Sequence, residues 1–298
     1  MTIQAVSKPR HRIREWLSRR IFLKLNVVIL LFLCFLMLYP VVYVIAASFS
    51  EETAILRGDV AFLPVGFHTK AYSKVFNYPQ LWTSYRNTVV YTLLGTAVNL
   101  LLTVCGAWAL SQKKMPGRRF LTLMCTFTMF FSGGMIPTFL VVKELKLLNT
   151  VWAMILPGAV STYNMILMRT FFLAIPTSLV EAAELDGCTD FGILFRIVLP
   201  LSLASLMTIG MFYAVGHWNS YFSAVIYLSK AEMYPLQIVL RQVVLMNEIV
   251  ENATSTENNM AEGIKYATIV VAMLPMLCIY PFIQRYFVKG VMVGSVKE

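Results

Sequence analysis

Six apolar runs, each longer than about twenty residues and none holding an Asp or Glu, constrain this chain more than any other feature. They cover residues 26–48, 88–110, 120–142, 151–174, 201–227 and 266–286. A helix of about twenty apolar residues crosses the roughly 30 Å hydrocarbon core of a bilayer. Backbone polar groups find no water there, and a helix satisfies them internally. The runs therefore predict an all-α integral membrane protein with six transmembrane helices over residues 26–288. A composition of 58% hydrophobic and 13% charged residues excludes a soluble domain built around one large core.

The placement of charge predicts the topology. Residues 1–25 carry Lys8, Arg10, Arg12, Arg14, Arg19, Arg20 and Lys24 against the single acid Glu15, as a basic cytoplasmic N-terminus would. The run 26–48 is too long for the apolar region of a signal peptide and is expected to remain as the first span, although Ala46-Ala47-Ser48 could mimic a cleavage site. Residues 49–86 read as an extracytoplasmic loop with a short interfacial helix over 70–76, and residues 228–265 as a second one carrying five glutamates. Lys113, Lys114, Arg118 and Arg119 crowd a short inner turn, and residues 289–298 form an inner tail. Counted this way, 16 of the 25 basic and six of the 15 acidic residues lie inside, giving +10 inside and zero outside. That is the positive-inside bias, with both termini cytoplasmic. Basic residues so placed do not predict nucleic-acid binding.

Residues 176–200 form a polar island between the fourth and fifth runs. Ser178 and Glu181 have capping-box spacing and predict a short helix, which Gly187 would stop in a left-handed conformation. Thr189 is placed to cap a second helix with Phe191, Leu194, Phe195 and Val198 as its apolar stripe. Glu181, Glu184, Asp186 and Asp190 would face outward, making either a docking knob or an ordinary solvated loop. Ser132-Gly133-Gly134 and Pro137 interrupt the third run and predict close packing or a bend.

Several chemistries are missing. No Gly-x-x-x-x-Gly-Lys loop is present, so ATP is not expected to bind this chain through one. The span interiors hold only Arg169 and His217 as ionisable groups, which disfavours an ion-coupled carrier, and no acid–base pair suggests an enzyme. Arg169 is expected to snorkel to the inner surface. The three histidines stand too far apart for a metal site, and Cys34, Cys105, Cys125, Cys188 and Cys278 are expected as free thiols. No catalytic residue, metal or resident cofactor is predicted. His217, Trp218, Asn219 and Tyr221 offer an aromatic face and an amide that suit a sugar path, or else interhelical packing; Tyr163 and Asn164 invite the same two readings.

Glu181, Ala182, Ala183, Asp186, Gly187, Ile197, Leu199 and Pro200 follow the spacing of the EAA loop in bacterial ABC-importer permeases, which the island resembles. Tyr39-Pro40, Asn87-Thr88, Phe131 to Thr138, Met168 to Phe172 and Trp218 to Phe222 extend the resemblance over essentially the whole chain, to the maltose-permease branch and within it to the second permease of polysaccharide importers. The resemblance implies a type I importer permease fold in the bacterial cell membrane. It also implies a second homologous permease, a cytoplasmic ATPase dimer that holds ATP and Mg, an extracytoplasmic solute-binding protein and an oligosaccharide cargo; the length of loop 228–265 predicts that this loop touches the binding protein. A non-sugar solute, an ion-coupled carrier and a non-transporting scaffold are the rival readings.

Overall fold

The computed structural model describes residues 11–251 and 261–295. The described chain is helical throughout: α1 (His11–Ser48), α2 (Glu52–Arg57), α3 (Lys70–Phe76), α4 (Pro79–Ser111), α5 (Arg118–Phe130), α6 (Met135–Glu144), α7 (Val151–Ile155), α8 (Thr162–Leu173), α9 (Thr177–Leu185), α10 (Asp190–Ile193), α11 (Leu199–Leu201), α12 (Leu203–Trp218), α13 (Phe222–Tyr227), α14 (Leu236–Glu251) and α15 (Ala261–Ser295). Three helices are long and apolar enough to cross a membrane, and up to six spans result if each bent pair counts as one. The pairs are α5 with α6, bent by 112°; α7 with α8, bent by 58°; and α10–α11 with α12, bent by 87°. The break in the third run was expected, and it is a bend. A Cβ at Gly133 or Gly134 would meet nothing within 4 Å, so the packing role read from these glycines is not seen within this chain. The breaks in the fourth and fifth runs were not expected.

The chain divides into two compact units. One contains α1, the segment that follows it and the start of α15. Helix α1 is exposed on every face over residues 19–40 and apolar on every face over residues 27–40, as suits a helix surrounded by lipid or another chain. At its end the chain is tied down. Ser48 shares a 2.8 Å hydrogen bond with the Tyr72 hydroxyl, and the Glu52 carboxylate accepts from the Glu262 backbone N–H at 3.0 Å. A carboxylate in the first turn of α15 both satisfies an orphan donor and opposes the helix dipole.

The other unit is built on α4, which packs mainly against α12 and α8. Its 33 residues make a rod about 50 Å long. At one end, Lys114 pairs with Glu184 at 2.7 Å, so the basic turn after α4 lies beside the polar island. The Arg169 Nε donates to the Leu110 carbonyl at 2.9 Å, capping the C-terminus of α4 with a cation. At the other end, Asn87 donates to the carbonyls of Glu232 and Tyr234 at 2.7 and 3.2 Å. The nine residues 252–260, within the tract 228–265 expected to meet a binding protein, lie outside the described residues.

Asn149 closes this end. It sits at φ 57°, donates its N–H to the Tyr227 carbonyl at 3.0 Å, and its Oδ1 accepts from the N–H of Ser229 at 2.7 Å. Replacement by Gly keeps the backbone conformation and loses the acceptor, whereas Ala loses both. Thermal melting of the purified protein is therefore expected to rank wild type above Asn149→Gly above Asn149→Ala, the last step about 1 kcal/mol. An Ala variant as stable as wild type contradicts this account of the turn.

Candidate functional site

The polar island folds as a knob of two short helices. Gly187 takes φ +79°, the left-handed stop expected of it, and the Cys188 N–H returns to the Ala183 carbonyl at 3.0 Å. The Thr189 hydroxyl caps α10 by accepting from the Gly192 N–H at 3.3 Å. Two expectations fail. The box between Ser178 and Glu181 does not form, because Pro176, at φ −55° and ψ 127°, already occupies the cap position and puts Ser178 inside the first turn. The proposed stripe also breaks: Leu194 and Val198 are buried, but Phe191 and Phe195 are 69% and 49% exposed. Residues Leu194–Val198 form a π-helical turn, whose extra residue rotates Val198 away from the face it would share with Phe191.

The knob's outer surface carries both charge and apolar area. Glu181, Glu184, Asp186 and Asp190 are exposed, as is Ala182, while Ala183 is buried. Ile197 and Leu199 are half-buried and Pro200 is exposed. Lys114 occupies Glu184, and that contact, with Asp190 and Glu181 nearby, raises the Lys114 pKa. Glu181 has no hydrogen-bond partner among the described residues. Leu185, which the sequence reading passed over, is 90% exposed at the tip of α9. Its signal was a leucine directly before an Asp-Gly stop, off the face of Ala183.

At the opposite end the residues read as a sugar path separate. They were expected to share a continuous helix, but α12 ends at Trp218. Asn219 stops it by donating its side-chain amide to the Val215 carbonyl at 2.9 Å, and asparagine at a helix end is a recognisable stop signal. Trp218 is buried, edge-on to Tyr85 with ring centres 5.9 Å apart. His217 meets the Asn99 amide at 3.0 Å, and a Cβ on Gly95 would come within 2.5 Å of its ring, so glycine is needed there for the approach. These two residues pack between helices. Asn219 is exposed, and Tyr221 is half-buried and lines a hollow of about 210 Å³ between α13 and α14. Tyr163 is exposed on α8 and Asn164 is buried there; neither lines that hollow.

Between the two ends runs a polar seam on α4. The Thr88 hydroxyl accepts from the Leu236 N–H at 2.8 Å, at the start of α14. Thr103 shares a 2.7 Å hydrogen bond with the Tyr213 hydroxyl, which accepts from the Ser161 N–H at 3.0 Å. Ser161 is the cap of α8, so Tyr213 satisfies a donor freed where the α7–α8 helix breaks. Single-sequence periodicity could not pair residues 110 positions apart. Among the described residues, no group of three His, Cys, Asp or Glu could hold a metal ion.

Residues 81–293 match the family described as binding-protein-dependent transport system inner membrane component, and the chain belongs to that family. Its fold is thus that of an ABC-importer permease, a transport subunit and not itself an enzyme. It is 42% identical to the polygalacturonan/rhamnogalacturonan transport system permease protein YtcP of Bacillus subtilis, over 94% of this chain and 100% of that one. A chain of a bacterial ABC transporter involved in the import of the acidic polysaccharide alginate is 35% identical, with a TM-score of 0.82 over 95% of this chain and 100% of that one. Another, from the alginate transporter in complex with an alginate pentasaccharide-bound periplasmic protein, is 15% identical with a TM-score of 0.53 over 92% and 96%, a likeness of fold alone.

Tyr213→Phe is expected to strand the half-buried Ser161 N–H and the buried Thr103 hydroxyl and to cost about 1–3 kcal/mol of stability. Thermal melting in detergent, with Tyr163→Phe on the exposed face of α8 as the control, reads the difference. Equal melting of the two variants would remove Tyr213 as the stitch across the break.

Proposed function

We propose that this chain is one half of the translocation pore of an ATP-driven oligosaccharide importer, with six spans and both termini cytoplasmic. The observation that carries the reading is the knob: an exposed leucine beside exposed carboxylates, held on a left-handed glycine, at the end of α4 where the basic turn lies. Charge placement puts that end in the cytoplasm. There it would dock into a cleft on one subunit of an ATPase dimer, which holds ATP and Mg. Leu185 is the apolar anchor, Glu181 the free carboxylate for an arginine across the interface, and Ala182 and Ala183 keep the approach close. Asp186 and Gly187 form the stop that presents the tip, while Ile197, Leu199 and Pro200 carry the knob's movement into α12.

When ATP closes the ATPase dimer, the docked knobs of this chain and of a homologous second permease are drawn together and the helices turn outward. A solute-binding protein delivers cargo at the other end, against residues 228–265. Relatives that transport polygalacturonan, rhamnogalacturonan and alginate support a polysaccharide-derived oligosaccharide as that cargo. Of the residues first read as a sugar path, exposed Asn219 and Tyr221, which lines the hollow between α13 and α14, are placed to meet it. Trp218 supports them from the core.

Gly187→Val tests the coupling. A Cβ at Gly187 meets nothing within 4 Å, so the variant is expected to insert and assemble. The β-branched side chain is strained at φ +79° by about 1–2 kcal/mol, and the tip is expected to shift. In proteoliposomes with all partners, ATP hydrolysis should continue at its basal rate while uptake falls at least about tenfold, the loss that a misplaced coupling contact of about 1.4 kcal/mol gives. Full uptake with normal stimulation by the binding protein would refute the coupling role.

A further inference from the structure

The hollow between α13 and α14 contains a cation that the sequence reading left out of the sugar path. Arg241 places its guanidinium carbon 4.7 Å from the centre of the Tyr221 ring. The side chain is exposed, and among the residues whose side chains are described no carboxylate lies within salt-bridge distance of it. Stacking on an aromatic face fixes the plane of a guanidinium while leaving the N–H groups at its edge free for a planar, two-oxygen acceptor. Tyr234, Gln242, Val225 and Ile238 line the same hollow of about 210 Å³. This is a mixed surface: an aromatic and aliphatic wall for the C–H face of a sugar ring, an amide for hydroxyls, and a fork for a carboxylate.

We infer that Arg241, held by Tyr221, forms with Gln242 and Tyr234 a subsite for the carboxylate of a uronic acid unit in a passing oligosaccharide. The inference rests on the oligosaccharide-importer reading and narrows it to acidic chains. A neutral sugar needs no fixed charge at this position, and a guanidinium beside aromatic rings would repel a cationic one. A uronate, by contrast, presents a planar carboxylate on a ring whose apolar face fits the wall. The concave, ring-lined setting also favours a sugar over a carboxylate on a docking protein, which a cation on a flat rim would serve better. The subsite is placed to act early, because α14 is fastened to α4 through Leu236 and Thr88 and to the end of α12 through Gln237 and Asn219, the latter at 3.4 Å. A ligand on Arg241 would thus touch the segment that meets the end of α12.

The test uses the whole complex of this chain, its partner permease, the ATPase and the binding protein in proteoliposomes. The probes are tetragalacturonate and its fully methyl-esterified form, which keeps length and rings and loses the charge. Arg241→Gln is expected to lower uptake of the free acid about tenfold, the loss of one charge-assisted hydrogen-bonded pair, and to leave uptake of the ester unchanged. Arg241→Lys, which keeps the charge without the fork, should fall between. Equal loss for both probes would overturn the subsite in favour of a structural or protein-docking role, and no loss for either would also overturn it. Wild-type uptake of the ester but not the acid would defeat the subsite while leaving the importer reading intact. No uptake of either would end the oligosaccharide reading on which it rests.

Discussion

Helices that break inside a membrane must find partners for the backbone groups they release, and in this protein one unbroken helix organises that supply. Helix α4 runs the length of its unit and presents hydrogen-bonding groups where neighbouring elements begin and end. Thr88 receives the first N–H of α14, and Tyr91 donates to the Met233 carbonyl at 2.8 Å. Thr103 holds Tyr213, which in turn receives the N–H of the residue capping α8. The debt runs the other way at the C-terminus, where Arg169 of α8 caps the Leu110 carbonyl of α4. Each contact exchanges a buried orphan for a hydrogen-bonded pair, worth about 1–3 kcal/mol where water cannot substitute.

This arrangement gives the fold a mechanical character. A rod with polar fastenings at both ends and in the middle packs along α12 and α8, whereas the chain beside it changes direction at the bends of 87° and 58°. The knob joins the rest through one such bend, between α11 and α12, and through the short stretch after α8. The Lys114–Glu184 pair adds an electrostatic tether from the knob to α4, but both groups are solvated and the pair contributes little to stability. Its service is orientation: it keeps the tip of α9 beside the end of the rod.

Much of this could be read from the sequence, for identifiable reasons. Gly187 and Thr189 act through strictly local chemistry, one as a backbone that accepts positive φ and the other as a side chain reaching its own helix, so spacing alone found them. Ser178 was misread because Pro176 competes for the same cap, a choice that spacing does not decide. Phe191 and Phe195 were misassigned because a regular helical period was assumed across a π-helical turn. The continuous helix drawn through Asn219 ignored a residue that stops helices with its own amide. Trp218 and His217 contact Tyr85 and Asn99 on α4, more than a hundred positions away. Long-range pairing of that kind, like the seating of Arg241 on Tyr221, leaves no periodic trace in one chain.

The central claim is that the knob seats in the ATPase through the apolar tip of α9. Site-specific cross-linking tests it directly: Leu185→Cys, in a chain whose five native cysteines are replaced, is joined to single cysteines placed along the cleft of the ATPase within the assembled transporter. The account predicts a cross-linked permease–ATPase product formed in good yield, together with protection of the introduced thiol from membrane-impermeant maleimide added outside intact cells. Labelling of that thiol from outside, with no cross-link to the ATPase, would contradict both the docking and the orientation on which it depends.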